Sequence, residues 1–291
     1  MLIHRSSVVE ELIDLDRYPI HRLGDSGRAG LVAETRLEMD RMGCCRISDF
    51  FRPEAIETML AEARSLHHLT HWASQDHNPY SSPDDPSFPE GHPRRFFQAR
   101  SSGFINSDVL AADSLLNRLY DADVFTHFVW ECLGVSRPIY RWADPLGCNP
   151  YGVMEPGHYF PWHFDGNDFT VSILVQKADC GGVFEYVPDI RTPGQENYER
   201  VQHVLEGCRE GVHELDLQPG DLQLFKGRFS MHRVTRIEGR TIRYIALPTY
   251  VHDPYRVNSP HHSTNFYGRA TSLHEQRAEA LALVTGDGLV D

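Results

Sequence analysis

At 291 residues, 41% hydrophobic and 24% charged, the chain has the composition of a soluble globular protein with enough apolar material for a sizeable core. A formal net charge of −13, from 41 acidic against 28 basic residues, argues against nucleic acid or an anionic membrane as partner and leaves a small molecule as the expected one. The six cysteines form no CxxC pair, no run of about 18 apolar residues occurs, and Glu10, Glu11, Asp14 and Asp16 interrupt the N-terminal stretch; a cytoplasmic protein without signal peptide or membrane span is expected.

In chain order, residues 29–43 (AGLVAETRLEMDRMG) and 53–67 (PEAIETMLAEARSLH) predict helices, the second with Pro53 in its first turn. GCCRISDFF between them predicts a short strand or turn. The Pro-, Ser-, Asp- and Gly-rich segment 75–95 predicts a long loop, with Asp84 and Asp85 in solvent, and loops of that length in a domain are commonly functional. Residues 108–134 predict one or two amphipathic helices stopped by Gly134.

From Arg137 to Val251 the pattern changes to short apolar or alternating runs: RPIYRW, YGVM, DFTVSILVQ, GVFEYV, VHELDL, DLQLF, FSMHRVTRI and TIRYIALPTYV. Eight short strands punctuated by Gly, Pro and Asp predict a two-sheet sandwich or jelly roll. The insert 191–208 is expected to hold a short helix, and 273–284 predicts a terminal one. The chain therefore reads as one α+β domain over 1–291: a helical N-terminal region with a lid loop (1–135), a β-sandwich core (136–251) and a C-terminal extension (252–291).

Within the β-rich region His163, Asp165 two residues later and His232 form a distinctive set. Two imidazoles and one carboxylate on one face of an ion, with the remaining positions open, make the facial triad of non-haem Fe(II) oxygenases. Residues i and i+2 of an extended segment point the same way, so His163 and Asp165 converge while Phe164 faces away. Taken singly, a histidine at a strand edge is more often a hydrogen-bonded residue than a ligand. Arg243, eleven positions after His232 and on a strand face with Thr241, Ile245 and Leu247, adds weight. A cation on an inner apolar face is costly unless it meets an anion, which predicts a carboxylate ligand there.

HxD, a distal His and an Arg at this spacing resemble the Fe(II)/2-oxoglutarate-dependent dioxygenases, whose shared fold is a double-stranded β-helix of the jelly-roll or cupin-like kind. The resemblance implies His163, Asp165 and His232 as iron ligands, Arg243 as partner of the distal carboxylate of 2-oxoglutarate with Arg240 as the competing candidate, and O2 as co-substrate. PWHFDGNDFTVSILVQ, GGVFEYVPDIR, PGDLQLFKGRFSMHRVTRIEG and FYGR further resemble the free-amino-acid hydroxylases and halogenases typified by the lysine halogenases. Those halogenases carry Gly or Ala in place of the triad carboxylate, which leaves room for chloride; Asp165 at that position implies hydroxylation. The same resemblance implies Arg100, Thr249 and Tyr267 on the substrate, a free amino acid. Where the halogenases grip the lysine amine with acids, Gly166 and Asn167 follow the HxD, so Asn167 joins the substrate-side set and Asp168 or Glu155 are the acids left to serve an amine. Trp162 reads as packing, and the pair His261-His262 lacks further ligands for a second metal site. Desaturation, cyclisation or epoxidation by the same oxidant, a metal enzyme without 2-oxoglutarate, and a non-catalytic small-molecule-binding sandwich are the alternative readings; a homodimer is compatible with all of them.

Overall fold

The computed structural model describes residues 7–281 and 289–290, so the end of the predicted terminal helix, 282–284, lies outside the described residues. Its helices are α1 (Ser7–Leu12), α2 (Ser26–Met42), α3 (Pro53–Leu66), α4 (Leu115–Tyr120), α5 (Asp123–Leu133), α6 (Tyr198–Leu205), α7 (Pro260–Tyr267) and α8 (Ser272–Leu281). Local chemistry sets their ends. The Asp25 carboxylate accepts from the Gly27 and Arg28 N–H groups to start α2, and Gly43 at φ 63° stops it. Pro53 opens α3, and Gly134 at φ 66° closes α5 as expected. The buried stripe of α2, Arg28, Val32, Thr35 and Met39, has helical spacing but is half polar, because Arg28 turns its guanidinium to Ile20 O and Glu131.

The strands are β1 (Cys44–Ile47), β2 (His71–Ala73), β3 (Ser102–Ile105), β4 (Tyr140–Arg141), β5 (Tyr151–Met154), β6 (Phe160–His163), β7 (Thr170–Gln176), β8 (Phe184–Val187), β9 (His213–Leu215), β10 (Leu222–Phe225), β11 (Met231–Val234), β12 (Arg243–Ala246) and β13 (Tyr250–Val251). A large antiparallel sheet runs β1-β10-β7-β12-β5-β3-β2, a smaller one β6-β11-β8-β9, and β13 pairs with β4. From β5 to β12 the chain repeatedly crosses between the two sheets, which is the winding of a double-stranded β-helix.

The region 1–135, read above as helical with a lid loop, also supplies β1, β2 and β3 to the large sheet. Runs of three or four residues such as HWA and SGFI carry too little periodicity to be read alone; pairing of β2 with β3 and of β3 with β5 makes them strands. For the same reason the segment from Arg137 to Val251 contains ten strands rather than eight.

The two-residue period of the large sheet separates two environments. Cys45, Ile47, Ile105, Tyr151, Val153, Val171, Ile173, Val175, Leu222, Leu224, Tyr244 and Ala246 join one buried cluster with the helices on one face. Each Val, Leu or Ile side chain among them contributes ~1.5–3 kcal/mol through burial. The alternate residues, among them Cys44, Ser102, Phe104, Met154, Ser172, Gln223 and Arg243, are buried toward the smaller sheet and are far more polar. Phe169, Val171, Ile173 and Val175 thus form the face that packs on helices, and a polar interior is left between the sheets.

The C-terminal extension is tied to the core through Asp144, which is fully buried. Its carboxylate accepts from the N–H groups of Leu146 (3.0 Å), Gly147 (2.8 Å) and Asn258 (3.0 Å), and lies 3.0 Å from His274 Nε2. His274 Nδ1 accepts from Thr271 N–H, so its Nε2 carries the proton donated to Asp144.

Candidate functional site

β6 and β11 lie side by side in the smaller sheet, in a register that sets His163 directly across from His232, with ring centroids 4.0 Å apart. Each Nδ1 donates to the carbonyl two residues back, His163 to Pro161 O at 2.8 Å and His232 to Ser230 O at 3.0 Å. That pattern turns both Nε2 atoms toward the polar interior as ligand nitrogens. Asp165 follows β6, with Oδ1 3.8 Å from His163 Nε2 and 3.4 Å from His232 Nε2. Among the described residues this is the group of three donors whose ligand atoms all lie within 4.8 Å of one another. Two imidazole nitrogens and one carboxylate oxygen so placed fit a first-row divalent ion held on one face.

Burial pushes His163 well below the usual imidazole range, keeping its nitrogen available to a metal. Burial alone would raise the Asp165 carboxyl, but the two imidazoles and the Thr170 hydroxyl outweigh it and hold the group well below the usual carboxylate range. Thr170 Oγ1 donates to Asp165 Oδ2, leaving Oδ1 for the imidazoles, and Asp165 N–H donates to Gly227 O at 3.1 Å. A Cβ at residue 227 would sit 1.9 Å from Asp165 Oδ2, so the carboxylate occupies space that only glycine leaves free. Phe164 faces the other way, stacked on Tyr80 and under the Arg191 guanidinium, and Trp162 packs in that same cluster. Losing the Thr170 hydroxyl should weaken the metal site: Thr170→Val is expected to lower Fe(II) affinity ~10–100-fold in anaerobic competition with a chromophoric chelator. Unchanged affinity would show that the carboxylate is oriented by something else.

Arg243 enters from the opposite sheet, on β12, which lies between β5 and β7. It is 5% exposed, has no acidic partner among the described residues, and burial pushes its guanidinium down to about 10. Gly182, at φ 65°, leaves room for its stem: a Cβ there would lie 3.3 Å from Arg243 Cδ and 2.6 Å from Ile237 Cδ1. Arg240 instead lies exposed at the preceding turn, where Asp179 accepts its backbone N–H and that of Thr241.

Arg100 is 4% exposed, and its Nε donates to Ser102 Oγ at 2.8 Å. The guanidinium carbon lies 3.9 Å from the Phe266 ring centroid and 4.5 Å from that of Phe160, and Phe160 stacks on His163 at 3.8 Å. Nη2 is buried without a hydrogen-bond partner, and burial pushes the group down to about 9. Tyr267, on α7, packs against Phe104 and raises the Arg100 value in part. Thr249 Oγ1 lies 3.4 Å from Gly147 O, and a Cβ at Gly147 would be 2.6 Å from the Tyr267 hydroxyl, so Thr249, Gly147 and Tyr267 are neighbours. Asn167 lies half-buried in the turn after Asp165.

Both acids left to serve an amine are partly exposed and have basic neighbours. Asp168 lies 3.9 Å from Arg228 and 3.8 Å from His252, and Glu155 is 2.9 Å from His67. The Asp84 and Asp85 carboxylates pair with Arg95 and Arg94 inside the 75–95 loop. Asn78, fully buried, orders that loop by donating to Ser82 O and Arg94 O, and Pro79 O accepts from Phe164 N–H. His262 stacks on Phe266 and His261 is exposed. Thr170 and Gly227 were not apparent from the sequence: each is an ordinary residue in its own segment, Thr170 reaching Asp165 across the turn between β6 and β7 and Gly227 from a distant segment.

A protein-family model described as Halogenase D matches residues 28–265. No curated protein matches the chain. Among solved structures, AviO1 from Streptomyces viridochromogenes Tue57 superposes with a TM-score of 0.51 at 16% identity, covering 76% of this chain and 95% of that one. SnoN from nogalamycin biosynthesis, described as a non-haem α-ketoglutarate-dependent epimerase, superposes at 0.51 and 14% identity, covering 77% and 83%. A 2OG-Fe(II) oxygenase family oxidoreductase from Burkholderia pseudomallei gives 0.48 at 15% identity, covering 76% and 91%. At these identities the likeness is one of fold. Among the described residues no helix is long and apolar enough to cross a membrane.

Proposed function

The chain belongs to the Halogenase D family of Fe(II)- and 2-oxoglutarate-dependent oxygenases, and from that premise we propose that it hydroxylates an unactivated C–H bond of a small molecule, a free amino acid or a close derivative. One observation carries the choice of hydroxylation: Asp165 is present and seated, with Thr170 on one oxygen and the two imidazole nitrogens facing the other. A third protein ligand occupies the position a halide would need.

In this reading His163, Asp165 and His232 hold the iron. Arg243, a buried cation on the opposite sheet without an acidic partner among the described residues, takes the distal carboxylate of 2-oxoglutarate. Iron(II) with 2-oxoglutarate and O2, when bound, supplies an oxidant able to attack an unactivated C–H bond, with 2-oxoglutarate leaving as succinate and CO2. The protein's work is placement and exclusion of water. Arg100, set one aromatic ring away from His163 through Phe160, anchors the substrate carboxylate, and Tyr267 and Thr249 border the same place. The 75–95 segment, pinned by Asn78 and packed through Tyr80 on Phe164, covers the outside of the ligand-bearing turn.

Asp165→Gly tests the assignment. The variant is expected to lose hydroxylation and to show a chloride-dependent change in the absorption of its anaerobic Fe(II)–2-oxoglutarate complex, a response absent from the native protein. Hydroxylation at near-native rate by the variant would contradict the role given to Asp165.

A further inference from the structure

Three buried polar atoms near the metal ligands lack hydrogen-bond partners: Arg100 Nη2, His77 Nε2 and Gln98 Oε1. They are not scattered. His77 and Gln98 are directly opposed in an antiparallel bridge, with N–H···O bonds of 3.0 Å in both directions, so their side chains project from the same face. Arg100, two residues beyond Gln98, projects from that face as well. Phe160 ties the group together, lying 5.8 Å from the His77 ring and 4.5 Å from the Arg100 guanidinium while stacking on His163. His77 donates through Nδ1 to Asn78 O at 3.0 Å, which makes Nε2 the acceptor. One unused donor on a cation beside two unused acceptors is the complement of a zwitterion.

The surroundings of Arg100 beyond this face are apolar. Phe104, Leu146, Tyr267, Leu247 and Phe266 form a cluster of their own around the guanidinium. Asp144, beside that cluster, is engaged by four donors, and Asp168 and Glu155 face basic partners. A side chain ending in a cation would face these apolar residues.

We propose that the substrate is an α-amino acid with an apolar side chain, its carboxylate on Arg100 Nη2, its ammonium donating to His77 Nε2 and Gln98 Oε1, and its side chain against the Phe104–Phe266 cluster. This rests on the oxygenase reading above and narrows it. His77 and Gln98 select for the ammonium, Arg100 for the carboxylate, and the apolar cluster disfavours the cationic side chains of lysine and arginine.

The test uses the full chain loaded anaerobically with Fe(II) and 2-oxoglutarate, whose visible charge-transfer band reports the loaded site and shifts when substrate binds. L-leucine, L-methionine and L-phenylalanine are titrated against L-lysine and against the desamino analogue of whichever apolar amino acid binds. An apolar amino acid is expected to bind at least ~10-fold more tightly than lysine, and His77→Phe and Gln98→Met are each expected to weaken it ~10-fold or more, the cost of unpairing a buried donor. Both variants should leave the desamino analogue unchanged within about two-fold, an outcome that a merely structural role would not give. Lysine binding as tightly as any apolar amino acid, no amino acid shifting the band, or variants that weaken both ligands equally would overturn the proposal while the oxygenase reading stands. Failure of the band to form in the native protein would remove both. Gln98→Met keeps the test readable if His77→Phe does not load.

Discussion

His232→Ala is expected to abolish substrate-triggered succinate formation. The imidazole is one of three donors in the site, and β11 places it directly across from His163. Removing a ligand outright should exceed the ~10–100-fold penalty typical of losing a ligand's hydrogen-bond partner, so both Fe(II) binding and turnover should fall by more than that. The fold should survive, because His232 lies toward the polar interior rather than in the cluster beneath the helices. Circular dichroism matching the native protein, with iron binding lost, is the expected combination. Near-normal turnover would refute the ligand assignment, and His163→Ala should behave the same way.

Arg243→Ala is the second large effect. A buried guanidinium is costly to place on an inner strand face, and 2-oxoglutarate brings the anion that offsets the cost. Truncating one partner of a buried charge pair costs ~2–5 kcal/mol, which corresponds to roughly a 30- to several-thousand-fold higher 2-oxoglutarate requirement. Arg243→Lys should fall between, since an ammonium keeps the charge but not the two-pronged geometry. Arg240→Ala should leave the requirement unchanged, because that side chain is exposed at the turn capped by Asp179. A rise confined to the Arg240 variant would move the cofactor site to the turn.

What could be read from the sequence followed from how local the signal was. DFTVSILVQ announces its strand because the seven residues of β7 alternate between a helix-covered face and a polar one, and the HxD pair before it is placed by the same period of two. Helix α2 is bounded by Asp25 and Gly43, whose capping roles are local. Helix α7 went unread although Ser259, Pro260 and Gly268 mark its ends, since its eight residues carry no clear apolar stripe. β1 falls in the GCCRISDFF segment expected to be a strand or turn, whereas β2 and β3 are strands by virtue of their neighbours, and no pattern within HWA or SGFI says so. The site divides likewise. His163, Asp165, His232 and Arg243 stand at a recognisable spacing, whereas Gly227 beside the Asp165 carboxylate and the His77–Gln98 bridge exist only once separate segments meet, and Thr170 becomes the donor to that carboxylate only through the fold of the turn between β6 and β7.

Iron- and 2-oxoglutarate-dependent hydroxylation of a free amino acid is tested most directly by incubating the Fe(II)-loaded protein with 2-oxoglutarate, O2 and single amino acids while measuring succinate and product mass together. One amino acid is expected to raise succinate release well above the uncoupled background and to yield, in equal amount, a product heavier by one oxygen atom that derives from O2. Succinate release that no amino acid stimulates, or a stimulated reaction whose product gains chlorine or loses two hydrogens instead, would contradict the account.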